Sequence, residues 1–228
     1  MTIERARVLT RAKPWGVGNL SPWCEARHDR DPIGEVSYER ADDTSPVPSL
    51  LLKVLFTSAP LSIQVHPDDD YAKSVGLPNG KSEAWYVLEA DLGAKVALGL
   101  NRALTRIELR RAIDDGSIEQ IVSWQATKAG DVFSVPAGTI HAIGANIIVA
   151  EIQQRSDSTY RLFDHGRDRV LQKADGAAVA HLGSAASQTS PKRLSEERTL
   201  LVSNVHFVLE RIVLAPGASW QIITDRET

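Results

Sequence analysis

The sequence predicts a mainly β fold, an antiparallel double-sheet barrel of the jelly-roll kind with a few short helices. Many short segments are rich in β-branched and aromatic residues, and frequent glycines and prolines separate them. Only one segment, 105–113, combines apolar residues at helical spacing with a capping box. With 228 residues and 43% hydrophobic content, such a fold can bury a substantial core.

The composition limits the classes of partner and compartment. Lys and Arg total 26 against 29 Asp and Glu, a net charge of -3, which lacks the basic field that nucleic acid or an anionic membrane attracts. We therefore expect a small-molecule partner. The single cysteine, Cys24, excludes an internal disulfide framework and a thiolate cluster, and we interpret it as an inert thiol. Residues 1–15 lack the apolar stretch of a signal peptide, so a cytoplasmic protein is expected.

The first half of the chain predicts five strands in order. Residues 34–39 alternate, 50–57 form an apolar run broken by Lys53, and 61–66 alternate again before Pro67 ends the strand. Because only Ala59-Pro60 separates the second and third of these strands, we expect them to lie side by side. Residues 14–16 and 42–49 are interpreted as a turn-rich opening and a loop. Strands at 82–89 and 94–100 follow.

The helical signals are local and specific. Thr105 is the expected N-cap of the 105–113 helix, and Glu108 completes its capping box. The run Asp68-Asp69-Asp70 resembles the cap of a short helical turn, and since no EF-hand pattern follows it, capping is preferred over a calcium site.

The second half predicts more short strands and a separate tail. Two strands around Pro136-Ala137-Gly138 place His141 just past the corner, and strands at 147–155 and 158–164 follow. Residues 174–193 predict a weak helix and a connecting loop, and 206–214 and 219–223 predict two last strands. We expect 1–173 to be the barrel domain, 174–193 a linker and 194–228 a short β segment. Because two strands alone are marginal in water, that segment should pack on the barrel or pair with a second copy as a homodimer.

Four polar residues at strand ends form a candidate metal site. In a strand, Gln64 and His66 point to the same face, and Glu83 and His141 lie at the ends of other predicted strands. Imidazoles with a carboxylate and a carboxamide are a plausible donor set for a transition metal. A strand histidine that is simply hydrogen-bonded in the core is an equal alternative on spacing alone. We expect His28, His165, His181 and His206 to be non-ligands.

Four motifs taken together resemble a known family. They are 64–69 (QVHPDD), 80–86 (GKSEAWY), 135–144 (VPAGTIHAIG) and 151–164, which begins EIQQ and ends YRLFD. In this order they resemble the type I phosphomannose isomerases, and Pro14-Trp15-Gly16 is similar to the opening motif of that family. The resemblance runs from residue 13 to residue 164. It implies a metal-dependent cupin-type double-stranded jelly roll that interconverts mannose 6-phosphate and fructose 6-phosphate. Family members usually continue through a second β domain, of which 194–228 would be a truncated start.

The resemblance also implies roles for individual residues. Gln64, His66, Glu83 and His141 would hold a zinc ion, although iron, manganese, cobalt or nickel also suit such donors. Arg161 would be the catalytic arginine, and Lys81 and Glu151 would line the sugar site. Glu151 is the first choice for the base that moves the proton and Lys81 the second.

Several alternatives stay open at this point. The phosphate would be held by Lys81, Arg155 or Arg161. Trp15 is a candidate substrate contact, but packing is the preferred interpretation for Trp15 and Trp23, while Trp85 and Tyr86 combine core and pocket wall. There are also simpler interpretations of two of these residues. Lys81 would be a solvated turn residue, and Glu151 would only form a salt bridge with Arg161. At the level of function, the alternatives are a non-catalytic sugar- or phosphosugar-binding cupin and an isomerase of a different sugar.

Overall fold

The computed structural model describes residues 5–25, 31–41, 47–185 and 189–221 of the chain. The strands are β1 (Arg7–Val17), β2 (Ile33–Glu39), β3 (Leu50–Thr57), β4 (Ile63–Val65), β5 (Glu83–Ala90), β6 (Lys95–Leu100), β7 (Val122–Ala126), β8 (Val132–Val135), β9 (His141–Ile143), β10 (Ile147–Gln154), β11 (Tyr160–Phe163), β12 (Lys192–Arg193), β13 (Arg198–Ser203) and β14 (Val208–Ile212). The helices are α1 (Asp69–Ser74), α2 (Arg106–Asp115), α3 (Ile118–Ile121) and α4 (Lys173–Val179).

Two antiparallel sheets form the barrel, as the strand pattern predicts. One sheet has six strands in the order β1-β2-β3-β10-β5-β8, and the other has five in the order β11-β4-β9-β6-β7. Large apolar side chains such as Trp85, Phe133 and Val149 fill the space between them, where each is at most 1% exposed. The mainly β, double-sheet prediction is confirmed.

One predicted pairing is wrong, because β3 and β4 lie in different sheets. Both edges of β3 are occupied, by β2 on one side and β10 on the other, so β4 pairs instead with β9 and β11. The corner between them is held by the Thr57 hydroxyl, whose single hydrogen lies within reach of two carbonyl oxygens, that of Gly144 at 2.8 Å and that of Ile147 at 3.0 Å. The turn at Ala59-Pro60 therefore carries the chain from one sheet to the other.

The opening segment is a strand rather than a turn. β1 runs through Pro14 and forms the edge of the six-stranded sheet, where a residue without a backbone N–H is tolerated. Its pairing with β2 shifts register after Arg11 and again before Val17. Arg11, Lys13 and Trp15 of this strand line the same cavity.

The helix caps are those that the sequence predicts. The Asp68 side chain accepts a hydrogen bond of 2.8 Å from the backbone N–H of Tyr71 at the start of α1. Thr105 and Glu108 form the complete capping box of α2, which buries Leu109, Ala112 and Ile113 against the five-stranded sheet. No helix in the described ranges is long and apolar enough to cross a membrane.

The C-terminal strands form a small third sheet of β12, β13 and β14. Sequence analysis missed β13, whose apolar run of three residues does not alternate, although β14 lies within the predicted strand 206–214. Leu201, Val202 and Phe207 pack against Ala84 and Val132 of the six-stranded sheet. The described part of the other predicted tail strand, 219–221, is not a strand, and 222–223 lie outside the described residues, as do 42–46 and His28.

Candidate functional site

Three corners of the chain meet at one end of the barrel. The backbone N–H of Lys81 donates to the Pro67 carbonyl oxygen at 3.0 Å, and that of Gly138 donates to the His66 carbonyl oxygen at 2.8 Å. Gly80 is required for this approach, because a Cβ at that position would lie 2.4 Å from the backbone carbon of Asp68. These contacts bring together three of the four motifs that the sequence analysis singled out.

The side chains of His66, Glu83 and His141 converge at this corner. One donor atom from each lies within 4.8 Å of the others, and each residue is 1% exposed. His66 Nε2 is 3.4 Å from Glu83 Oε2, and His141 Nε2 is 3.4 Å from Glu83 Oε1. In the part of the chain that the structure describes, this is the one group of three such residues that can hold a metal ion.

In each histidine, a hydrogen bond at Nδ1 determines that Nε2 faces the centre. His66 Nδ1 lies 2.8 Å from the Ser158 carbonyl oxygen, and His141 Nδ1 lies 2.8 Å from that of Thr139. A carbonyl oxygen can only accept, so each Nδ1 carries a hydrogen and each Nε2 presents a lone pair. This backbone support of a ligating imidazole is the arrangement found around protein metal sites.

The protonation states also suit metal ligands. Burial, reinforced by the nearby Lys81 cation, lowers the pKa of His66 to about 3, and burial lowers the pKa of His141 as well. Burial alone would raise the pKa of Glu83, but the Lys81 cation and the histidines outweigh it and hold that pKa well below the usual range. Two neutral imidazoles therefore face one carboxylate, and this deprotonated donor set can bind a divalent cation.

Gln64 lies in a row of three residues across the five-stranded sheet. It is paired with Arg161 of β11 on one side and with His141 of β9 on the other, so the three side chains share a face. Its Nε2 lies 3.3 Å from His141 Nε2, and its Oε1 accepts a hydrogen bond from the Ser62 hydroxyl. A half-turn of the amide would present the oxygen to the histidines.

Lys81 is a buried residue of this centre and not a solvated turn residue. It is 5% exposed, and its Nζ lies 2.9 Å from Glu83 Oε2 and 3.1 Å from His66 Nε2. Burial lowers the pKa of Lys81, but Glu83 and Glu151 outweigh that effect, so the net shift is upward.

A cavity of about 490 Å³ opens beside the centre. It is large enough for a small ligand. Six cationic and three anionic side chains line it. These are Arg11, Lys13, Lys53, Lys81, Arg161 and Arg169 with Glu35, Glu151 and Asp157.

Glu151 lies in this wall, on β10. It is 4% exposed and is paired with Trp85 of β5 and with Lys53 of β3. Burial, followed by the Glu83 carboxylate, raises the pKa of Glu151 to about 7. In the described residues it forms no ion pair with Arg161, so the simple salt-bridge reading is wrong.

The raised pKa of Glu151 predicts a pH-dependent stability of the metal-free protein. A folded-state pKa of about 7, above the ordinary value of 4.5 for a glutamate, gives a contribution that is complete below pH 4.5 and lost as the pH rises through 7. Relative to wild type, Glu151→Gln should therefore gain about 3 kcal/mol in the free energy of unfolding between pH 4 and pH 8. Urea unfolding of chelated protein at several pH values measures this, and parallel stability profiles for the two proteins would contradict it.

Arg161 and Trp15 complete the cavity wall. The Arg161 guanidinium donates to the Val170 carbonyl oxygen at 2.9 Å, and its burial is the main reason that its pKa is lowered. Trp15 is 6% exposed and packs in the core, but it also lines the cavity, with the Arg169 guanidinium 4.8 Å from its ring. Trp15 is therefore both a packing residue and a residue within reach of a ligand.

Arg155, one of the three residues considered for phosphate, lies away from this cavity. Its guanidinium donates to the carbonyl oxygens of Pro48 and Leu50 and lies 4.0 Å from Glu39. Sequence analysis missed Arg11, Lys13, Glu35 and Arg169 as cavity residues. One feature of the sequence could have indicated this charged wall. Lys53 is a charged residue that interrupts a buried strand, and it points into the cavity.

The fold and the converging donors define a cupin with a site that can hold a metal ion. By sequence and by fold, the chain is similar to proteins named mannose-6-phosphate isomerase. It is 40% identical over 204 residues to the mannose-6-phosphate isomerase of Streptococcus mutans, covering 84% of this chain and 61% of that protein. It is 43% identical over 141 residues to the mannose-6-phosphate isomerase ManA of Bacillus subtilis, covering 61% of this chain and 42% of that protein. No protein-family model matches the chain.

Solved structures have the same fold. The mannose 6-phosphate isomerase of Bacillus subtilis superimposes with a TM-score of 0.78 at 25% identity, covering 90% of this chain and 78% of that one. A mutant phosphomannose isomerase of Salmonella typhimurium gives a TM-score of 0.69 at 14% identity, with coverages of 92% and 82%, which supports the fold alone. The chain thus spans between 42% and 61% of the length of the two curated relatives described above.

Proposed function

We propose that this protein is a metal-dependent isomerase that interconverts mannose 6-phosphate and fructose 6-phosphate. The observation that carries the proposal is the convergence of two histidine lone pairs and a carboxylate beside a cavity whose wall holds a second, buried carboxylate. The similarity to the mannose-6-phosphate isomerases supplies the substrate. A pure binding protein needs no such second carboxylate.

We assign the metal to Gln64, His66, Glu83 and His141 and propose that it is zinc. Nitrogen and oxygen donors of this kind are typical of catalytic zinc, with space left for a further ligand. When bound, the ion would act as a Lewis acid on the oxygens of the open-chain sugar. The other steps fall to the side chains of the cavity.

We assign proton transfer to Glu151. The reaction moves a proton from C2 of the aldose to C1 through an enediol, and a group whose pKa lies near 7 can accept and return it. Lys81 is less suitable as the base, because its amino group is already committed to Glu83 and His66. We propose that Lys81 binds a sugar oxygen and holds the Glu83 carboxylate in place.

We assign stabilisation of the enediolate to Arg161. Its pairing with Gln64 puts it directly beside the proposed metal ligands. A guanidinium is permanently charged and has several donors, so it can bind a developing oxyanion. Trp15 would contribute the apolar wall against the sugar.

The function is tested by a coupled assay for fructose 6-phosphate formed from mannose 6-phosphate. We expect activity in the purified protein, loss of activity on chelation and recovery with zinc. Recovery with another divalent ion but not with zinc would overturn the zinc assignment. Stoichiometric metal without turnover of either phosphosugar would favour a non-catalytic sugar-binding cupin or an isomerase of a different sugar.

The domain boundaries, the oligomeric state and the cellular location are also proposals. We propose that residues 1–173 form the catalytic domain, since every assigned residue lies there, with 174–193 as linker and 194–228 as an appended β segment. A homodimer through the C-terminal strands stays a prediction, which a purely monomeric species in sedimentation would contradict. A cytoplasmic location also stays a prediction.

A further inference from the structure

We propose that the cluster of Arg11, Lys13 and Lys53 around Glu35 is the phosphate subsite of the cavity. This inference rests on the proposed function, because it assigns the phosphate end of the same substrate. None of these four residues has a role in the assignments above. All four line the cavity.

The cluster has two more positive charges than negative ones. Arg11 Nη1 is 2.8 Å, Lys13 Nζ 3.3 Å and Lys53 Nζ 3.4 Å from the carboxylate of Glu35. Glu35 is ionised, because these cations hold its pKa at about 2 even though burial acts in the opposite direction. Three cations therefore surround one carboxylate, which neutralises only one of their charges. The remaining charge of +2 matches that of a phosphate dianion.

The position of the cluster in the sheet fits the length of the substrate. Across the six-stranded sheet the metal-site residue Glu83 on β5 is followed by four cavity residues, which are Glu151 on β10, Lys53 on β3, Glu35 on β2 and Arg11 on β1. Two strand spacings thus separate the strand of Glu83 from that of Lys53, three separate it from that of Glu35, and four separate it from that of Arg11 and Lys13, or roughly 10, 14 and 19 Å. The charged ends of Arg11 and Lys13 reach back to Glu35, so the cluster itself is centred about three spacings away. An extended six-carbon sugar phosphate, met by long side chains, can bridge this span with Glu151 beside its C1 and C2 atoms.

The other cations of the cavity are less suited to this role. Arg161 is paired with Gln64 and so lies at the reacting end. The Arg169 guanidinium donates two hydrogen bonds to Asp164 and stacks on Trp15.

The test uses Arg11→Gln and the double variant Arg11→Gln/Lys13→Gln. We expect KM for mannose 6-phosphate to rise at least tenfold in the double variant, while kcat and metal content stay near wild type. The matched control is Arg7→Gln. Arg7 lies on the same strand and face as Arg11, and the exposed fractions of the two side chains are 44% and 43%. Arg7 pairs with Glu39, which does not line the cavity. An equal KM in the double variant and the control would overturn the subsite.

Binding of the sugars can be measured independently of turnover, so the phosphate subsite is testable even if the protein is not an isomerase. Calorimetric titration with mannose 6-phosphate and with mannose should show a preference for the phosphorylated sugar that the double variant loses. If wild type lacks turnover but shows this preference, the isomerase proposal fails and the subsite stands. Equal affinity of wild type for the two sugars, or a preference that the double variant keeps, would overturn the subsite whatever the turnover.

Discussion

His141→Ala is expected to lower the affinity for the activating metal by at least about 100-fold and to abolish turnover at ordinary metal concentrations. Mutation of a residue that only hydrogen-bonds a metal ligand already lowers metal affinity or activity by about 10- to 100-fold, so loss of a ligand should have at least the larger effect. His141 Nε2 is one of three converging donors, and its Nδ1 is fixed by the Thr139 carbonyl oxygen. Removing it leaves a single imidazole with Glu83 and the weakly donating carboxamide of Gln64, which is a weaker donor set for the ion. The measurements are metal content per chain after dialysis and the coupled assay.

Two further variants keep this prediction falsifiable. Because His141 is buried, its truncation also costs packing, so Glu83→Gln serves as a second variant that keeps the shape and removes the charge. His206→Ala is the matched histidine control, since His206 lies in the third sheet region and outside the converging group. Full metal content in folded His141→Ala and Glu83→Gln proteins would refute the assigned centre.

Glu151→Gln is expected to lower kcat by about 10² to 10⁴-fold, the usual contribution of a general base. The amide keeps the shape of the side chain but cannot accept the proton from C2. We expect metal content to be unchanged and KM to change little, because the metal ligands and the cation cluster are untouched. Exchange of the C2 hydrogen with solvent deuterium measures the same step independently of product release.

The comparison with Lys81→Met decides between the two bases. If Lys81 only binds and positions, its variant should retain measurable C2 exchange while Glu151→Gln has lost it. The reverse result would make Lys81 the base. Glu89→Gln is the control: Glu89 lies on the same sheet, where it accepts a hydrogen bond from Trp23 rather than lining the cavity.

Local features of the fold could be predicted from the sequence because their causes are local. The Thr105 and Glu108 capping box and the Asp68 cap depend on residues within one turn of the chain. Strand β3 has the predicted bounds because a long apolar run cannot be solvated. In contrast, β1 was missed because a proline in a strand is acceptable only at a sheet edge, and edge position is a property of the whole sheet.

For the candidate site, the sequence determined which residue types are present and, through four motifs, which of them belong together. Gln64, His66, Glu83 and His141 could be proposed before any geometry was known. Only the tertiary structure decided that β3 and β4 lie in opposite sheets, that two backbone carbonyls orient the histidines, and that Arg11, Lys13 and Lys53 surround Glu35. The reason is physical: these relations join strands that are distant in the chain, and strand pairing and burial are settled by the barrel as a whole.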